Sequence, residues 1–406
     1  MAIDSARMMS ELEELSCIGR TASGGVTRLG LTAENAAAKE LVARWMGQAG
    51  LTVRYDAAAN LIGRLGGDGP AIVLASHLDS VIEGGRFDGP MGVVIALEVA
   101  RLLAGKQGEL ARPVEVIALS DEEGARFGTG FFGSRAMLGK LPPDVLDRQD
   151  KNGLTVAQAM DKLGYPPHKI GQAARDPGEI AAYLEVHVEQ GAVLDQLDCP
   201  VGVVTGIAGP AHLQVTLQGR ADHAGATPMN LRKDPLVAAA QVILTAEKLA
   251  KEISPTAVAT VGKVWVEPGA VNVIPGLAGF SLDIRDVEKT TRDALVQSIL
   301  AILQEVCSAR QIEWASEEHL CVDPVPLSSR MQDTLARACG KAGVPIHNMP
   351  SGAGHDAMVF APRVETGMLF VRSRGGVSHS PEERTDETDI AIATEVLWRA
   401  VMDLAL

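Results

Sequence analysis

The sequence predicts an α/β fold: a mixed, mostly parallel sheet flanked by helices, interrupted by a small α+β insert of ferredoxin-like order. Three observations predict it. Three short apolar runs, Ala71–Ser76, Val114–Leu119 and Tyr183–Val188, read as strands buried on both faces, with helical patterns such as Gly92–Leu103 between them. Each run leads directly into ionisable residues, and sites in open α/β sheets form at the carboxyl ends of strands. After about Gly206 the pattern changes to strands that alternate apolar and polar residues, as in a one-sided sheet.

The elements follow in order. The first residues, MAIDSARMMSELEELSCIG, are charged and helix-like and lack the apolar core of a secretory signal. The three buried strands come next and fill a first segment, 1–207. The insert, 208–323, begins with the alternating strand His212–Gln218. A helix over Pro235–Ala250 places Leu236, Ala239, Ala240, Ile243 and Ala246 on one face. Strands at Ala259–Val266 and Ala278–Ile284, a helix at Arg292–Ser308 and a short strand near Ile312–Ala315 complete a β-α-β-β-α-β order. The last segment, 324–406, returns to the first domain. It offers a helix near Met331–Ala342, a strand near Gly367–Val371 and a helix near Asp389–Leu404.

Composition excludes several function classes. A chain of 406 residues favours two domains. Its formal charge of −14 argues against nucleic acid and anionic membranes as partners, and 3% aromatics leave little for base stacking. No apolar run is long enough to span a bilayer. Five scattered cysteines with no CxxC pair read as reduced thiols, so a cytoplasmic protein is expected.

The chemistry lies in polar segments at strand ends. In His77-Leu78-Asp79 the first and third residues face one side of a strand, so Asp79 can orient His77 as a metal ligand. Asp88 sits in the glycine-flanked stretch Gly84–Gly89, and its ordinary alternative is an Asp-Gly turn. In Asp121-Glu122-Glu123-Gly124 adjacent carboxylates point apart, so one can bind metal while its neighbour acts as a base. The ordinary alternative is a solvated acidic loop. His187 follows Glu185 and precedes Gln190; His379 lies in a glycine- and serine-rich stretch. His223 and His355 also sit in polar, glycine-flanked segments, whereas His168, His212, His319 and His347 read as surface or core residues. Together His77, Asp88, Glu123, His187 and His379 make an imidazole and carboxylate set suited to Zn, Mn, Co or Ni. A carboxylate shared by two ions is a recurring hydrolytic design.

The segments SHLDSVIEGGRFDGPMGV, DEEGARFG, YLEVHVEQG, ADHAGATPM, AVNVIP, SGAGHDAM and GGVSHSPEE resemble the hydantoinase/carbamoylase-type amidohydrolases. That family is a branch of the dinuclear aminoacylase/carboxypeptidase metallopeptidase superfamily. The resemblance runs from about Ser76 to Glu383. It implies a metallohydrolase domain with two divalent ions per subunit. His77, Asp88 and His187 would hold one ion; Asp88, Glu123 and His379 would hold the other. It implies Glu122 as general base and Asp79 as the residue orienting the first histidine. It implies that the insert forms a homodimer, with His223 steadying the oxyanion in the partner subunit's site. Asn272 and Arg285 would clamp a substrate carboxylate, and Gln190 and the Gly352–Gly354 stretch would make further contacts. His355 would give hydrogen-bonding support or touch substrate. Arg372 stands where many relatives have proline, and Arg372 and Arg374 are expected to be exposed.

The expected reaction is hydrolysis of the carbamoyl or ureido C–N bond of a small N-carbamoyl-L-amino acid or related ureido acid. Allantoate amidohydrolase is the nearest alternative, and an aminoacylase or dipeptidase the next. A non-catalytic metal-binding module would be expected to lack the base, but Glu122 is present.

Overall fold

The computed structural model describes residues 3–405. Helix α1 (Ser5–Cys17) is capped by Asp4, whose carboxylate accepts from Arg7 N. Helix α2 (Ala33–Gln48) is capped in the same way by Thr32. Neither α2 nor the antiparallel pair β1 (Thr52–Tyr55) and β2 (Leu61–Leu65) was evident in the sequence. Strand β3 (Ala71–His77) is buried throughout. Helix α3 (Pro90–Ala104) follows, then β4 (Val114–Leu119), likewise buried. Short helices α4 (Phe132–Met137) and α5 (Val156–Lys162) lead to β5 (Ile180–Val188). Helix α6 (Val193–Gln196) and β6 (Val201–Ile207) close this first stretch.

The next stretch starts at β7 (Gly209–Gln218) and the short β8 (Asp222–His223). Helix α7 (Pro235–Ile253) begins with Pro235 in its first turn and Asp234 accepting from Leu236 N and Val237 N. The strand expected over Ala259–Val266 is two strands, β9 (Val258–Thr260) and β10 (Val264–Glu267). Both pair with the same neighbour, and the break falls around Gly262, where Lys263 N donates to the Ser281 hydroxyl at 3.1 Å. After β11 (Val273–Ile274) come β12 (Leu277–Asp286), α8 (Lys289–Arg310) and β13 (Glu313–Cys321). β13 is longer than its sequence suggests. Its residues are almost all exposed, so no apolar alternation marks its length.

The chain then forms β14 (Val325–Pro326), α9 (Ser329–Ala342), β15 (Asn348–Ser351), α10 (Ala357–Phe360), β16 (Thr366–Val371) and α11 (Glu387–Ala405). Contacts divide the described chain into two compact units. The first comprises residues up to Thr205, Leu327–Met349, and His355 onward; the second comprises Gly206–Pro326 with Pro350–Gly354.

In the first unit the sheet order is β1-β2-β4-β3-β5-β16-β6. The four central strands β4, β3, β5 and β16 are parallel, and the flanking pairs are antiparallel. This is a mixed α/β fold with a mostly parallel centre. Helix α3 is apolar nearly all round because it is buried all round, with α1 and α11 among its neighbours. Gly92 lets it lie on the sheet, since a Cβ there would meet Val186 O at 2.1 Å. In the second unit the antiparallel sheet runs β10-β12-β7-β13, with β9 also on β12. Helices α7 and α8 cover one face of it through Val242, Ala246, Leu295 and Ile299, a ferredoxin-like arrangement. Among the described residues no helix is long and apolar enough to cross a membrane.

Candidate metal centre

Parallel pairing of β3 and β5 sets the first group of side chains. His77 ends β3, His187 lies near the end of β5, and the adjoining turn before α3 supplies Asp88. That turn requires glycine after Asp88. Gly89 has φ +84°, and a Cβ there would lie 2.5 Å from the His77 ring.

Both imidazoles present the same edge. His77 Nδ1 lies 3.1 Å from Asp79 O, and His187 Nδ1 lies 2.9 Å from Val188 O. A carbonyl only accepts, so each Nδ1 carries the hydrogen and donates it. Each Nε2 then offers a lone pair. The two Nε2 atoms are 3.3 Å apart and lie 3.5 and 3.2 Å from Asp88 Oδ1. With both rings neutral, three electron-pair donors face one point, an arrangement that fits a cation. The other Asp88 oxygen, Oδ2, lies 3.4 Å from His379 Nε2, which is 3.5 Å from Glu123 Oε1. Glu123 Oε1 is buried and accepts no hydrogen bond from the described residues. His77, Asp88 and His187 form one ligand group, and Asp88, Glu123 and His379 a second, with ligand atoms in each within 4.8 Å of one another. The donor set therefore fits two divalent ions sharing Asp88.

Asp79 is placed differently from the sequence expectation. Its carboxylate stands 3.9 Å from His77 Nδ1, and its backbone oxygen makes the bond. The side chain instead accepts from Glu123 N, at 3.1 Å, and so ties the two loops together. Glu122 is buried, with Oε2 3.9 Å from His77 Nε2. Gln190 Nε2 donates to Asp88 Oδ2 at 2.8 Å. Asp121, Gln190 and His379 all have left-handed backbone, at φ +50°, +60° and +53°. Such conformations disfavour side chains by about 1–3 kcal/mol each and concentrate at functional sites.

For the protein groups alone, the electrostatics are those of an uncompensated acidic cluster. Burial pushes the Glu122 carboxyl well above its usual range, helped by Glu123 and Asp356. Burial and Asp88 raise Glu123 to about 7. Burial disfavours a charged His77, but Glu122, Asp88 and Asp79 outweigh it and hold the imidazole well above 6.5. His379 is raised to about 9, chiefly by its bond to Asp88. A cation would satisfy the carboxylates that these protons otherwise neutralise.

Sequence reasoning missed Glu383. This buried carboxylate accepts from Phe87 N at 2.7 Å and Asp88 N at 2.9 Å through one oxygen, and from Ser378 Oγ at 3.1 Å through the other. Ser378 Oγ is also 2.9 Å from Asp88 Oδ2. Glu383 thus joins the Asp88 turn to the loop bearing His379. Its only sequence signal is its position four residues after His379. Arg372 is corrected as well. It is buried and pairs with Asp389 at 2.8 Å and Asp198 at 2.6 Å, partners that neutralise it inside the fold. Arg374 is half-buried and pairs with Asp386 and Asp195. His355 is buried with its ring 4.5 Å from that of His187, and burial holds it well below 6.5, as a neutral imidazole.

The remaining expected residues belong to the second unit. His223 is exposed on β8, opposite Val273 of β11. Its Nδ1 accepts from Gly225 N at 3.0 Å and Ala226 N at 3.1 Å. Asn272 is exposed, and its carbonyl accepts from Ala224 N at 3.0 Å. Arg285 is on β12, and Gly354 belongs to the short Pro350–Gly354 stretch.

Residues 73–403 match the model of Peptidase family M20/M25/M40. An N-carbamoyl-L-amino acid amidohydrolase of Geobacillus stearothermophilus is 46% identical, over 99% of each chain. A probable allantoate deiminase of Oryza sativa subsp. japonica is 38% identical, over 93% of this chain and 84% of its own. The crystal structure of an amidase of the hydantoinase/carbamoylase family from Burkholderia multivorans superposes with a TM-score of 0.94 at 32% identity, covering 100% of this chain and 98% of that one. The chain belongs to the M20/M25/M40 peptidase family, in company with the hydantoinase/carbamoylase amidohydrolases.

Proposed function

We propose that this protein is a metal-dependent amidohydrolase that cleaves the carbamoyl C–N bond of a small N-carbamoyl-L-amino acid. One water is consumed, and the amino acid, ammonia and carbon dioxide are released. The observation that carries this reading is the pair of ligand groups sharing Asp88, with Glu122 beside them, in a chain 46% identical to an N-carbamoyl-L-amino acid amidohydrolase. The rice relative favours allantoate as the second reading.

A ureido carbonyl is a weak electrophile because both nitrogens donate into it. His77, Asp88, His187, Glu123 and His379 would hold two divalent ions, which when bound would polarise that carbonyl and lower the pKa of water toward neutrality. Zn, Mn, Co and Ni all suit the donor set. Glu122 accepts the water proton and passes it to the departing nitrogen. Burial and neighbouring charge give this carboxylate a raised proton affinity, in keeping with that task. His223 supplies a hydrogen bond to the oxyanion. Its Nδ1 is occupied by two backbone N–H donors, so the ring hydrogen sits on Nε2, ready to donate. Arg285 and Asn272 hold the substrate carboxylate, and Gln190 and Gly354 complete the substrate contacts.

The domain division at 1–207, 208–323 and 324–406 is part of the proposal. So is a homodimer formed through the insert, in which His223 serves the partner's site. Support comes from exposed apolar side chains of the second unit, among them Leu244, Val258 and Val264. An ammonia-release screen of metal-loaded protein tests the whole reading. It should cover N-carbamoyl amino acids of several sizes, allantoate, ureidoglycolate and 3-ureidopropionate. Release from none of them would sink it. Mixed His223→Ala and Glu122→Gln subunits should regain partial activity after exchange; no regain would remove the shared site.

A further inference from the structure

Arg285 is already partly engaged, and the way it is engaged bears on specificity. Asp283 and Arg285 are two residues apart on β12, so strand alternation puts them on one face. Arg285 Nε donates to Asp283 Oδ1 at 2.9 Å, and Nη2 donates to Oδ2 at 2.8 Å. Nη1 donates to Gly352 O at 2.8 Å. His212, opposite Asp283 in the β7 register, has Nε2 3.4 Å from Asp283 Oδ2.

A guanidinium has five N–H groups in a fixed plane. Three are used here, leaving one on each terminal nitrogen. Asp283 takes the side edge, so the remaining Nη2 hydrogen lies on the end edge shared with Nη1. That end edge, with its free Nη2 hydrogen beside Nη1, is the edge on which a guanidinium can meet a carboxylate. Arg285 and Asp283 are about one third exposed, so that edge is within reach of a solute.

We propose that Asp283 is a positioning residue that presets Arg285 to receive one carboxylate end-on. The proposal rests on the reading of Arg285 as the substrate clamp. Asp283 and Gly352 fix the guanidinium plane before substrate arrives, so less side-chain freedom is lost on binding. The opposite role has the opposite sign. If Asp283 were a competitor that substrate must displace, removing it would tighten binding.

The test uses full-length metal-loaded protein with N-carbamoyl-L-alanine and, in parallel, allantoate. Asp283→Asn should raise KM about tenfold while kcat stays within about twofold. In an Arg285→Ala background the same change should have no further effect on KM, which a general structural defect would not reproduce. Arg285→Lys, which lacks that edge, should not restore KM. Thermal melts and circular dichroism confirm that each variant is folded. An unchanged or lowered KM in Asp283→Asn, with KM raised in Arg285→Ala, overturns the proposal and leaves the clamp intact. An unchanged KM in Arg285→Ala removes the clamp and the proposal with it. If neither compound is hydrolysed by the unmutated protein, the proposed function fails and the inference falls with it.

Discussion

Asp88 has little freedom, and Glu383 is a principal reason. Removing the Glu383 carboxylate leaves the Phe87 and Asp88 N–H groups buried without acceptors. Glu383→Ala should therefore destabilise the protein by about 1–3 kcal/mol. It should also weaken metal binding about 10- to 100-fold, as outer partners of ligands typically do. Competition with a chromophoric chelator measures the second effect; unchanged affinity would mean that the turn holds Asp88 unaided. Lys39 makes a different prediction. It is fully buried, bonded to Ala59 O and Ser120 Oγ, and burial lowers it from 10.5 to about 8. The unfolded chain therefore binds more protons between pH 8 and 10.5, so this group adds stability as pH rises through that window, by about 3 kcal/mol in all. Urea unfolding of metal-loaded protein at pH 8, 9 and 10 should show that contribution as a stability difference between unmutated protein and Lys39→Met that changes with pH in this sense. His77 and His187 were legible as candidate ligands because each stood at the end of an apolar run. Glu383 was not, because SPEERTDE reads as a solvated acidic stretch until Ser378 and Asp88 are folded beside it. The orienting contact of His77 was half legible: the partner is Asp79, but its carbonyl.

At the scale of elements, the loop from Ser373 to Asp386 is tied down at both ends. Arg372 bridges β16 to the start of α11 through Asp389, and Arg374 bonds Asp386 and Asp195. Asp195 also accepts from Gly375 N at 3.0 Å. Arg372→Ala would leave Asp389 buried and unpaired, which destabilises by about 3–5 kcal/mol in comparable cases. Chemical denaturation should show that loss, and a change below about 1 kcal/mol would mean that water replaces the guanidinium. This network was hidden because Arg372 and its partners are far apart in sequence, and an isolated arginine is ordinarily exposed. The central strands were legible from their unbroken apolar runs. The flanking β1 and β2 were not: these short antiparallel strands carry mixed residues such as Arg54 and Arg64.

For the whole molecule, the acidic cluster couples stability to pH and metal together. With metal removed, Glu123 and Glu383 rise to about 7 and His379 to about 9. Folded-state values above the unfolded ones mean stability present at low pH and lost as pH rises through about 5 to 9. Asp88 runs the other way, since His187, His379 and His77 overcome its burial and hold it well below its usual range. More groups titrate in the first sense, so the chelator-treated protein should lose stability from pH 6 to pH 9. Bound ions replace those protons, so the gap in Tm between metal-loaded and chelator-treated protein should widen over the same range. Melts at four pH values check this, and a constant gap would mean that the carboxylates relax apart once the ions leave.

Asp88 divides its two oxygens between unequal neighbours. On one side stand His77 and His187, each 1% exposed; on the other stands His379, 47% exposed. The two ions should accordingly differ in residence time. The ion at His379 should exchange with solution first, and the inner one should persist. Brief dialysis against Co(II) of protein loaded with Zn(II) would then yield a mixed pair with cobalt on the His379 side. The metal that a cell supplies last would sit at the open position, and activity would follow its identity while the inner ion kept the fold in place.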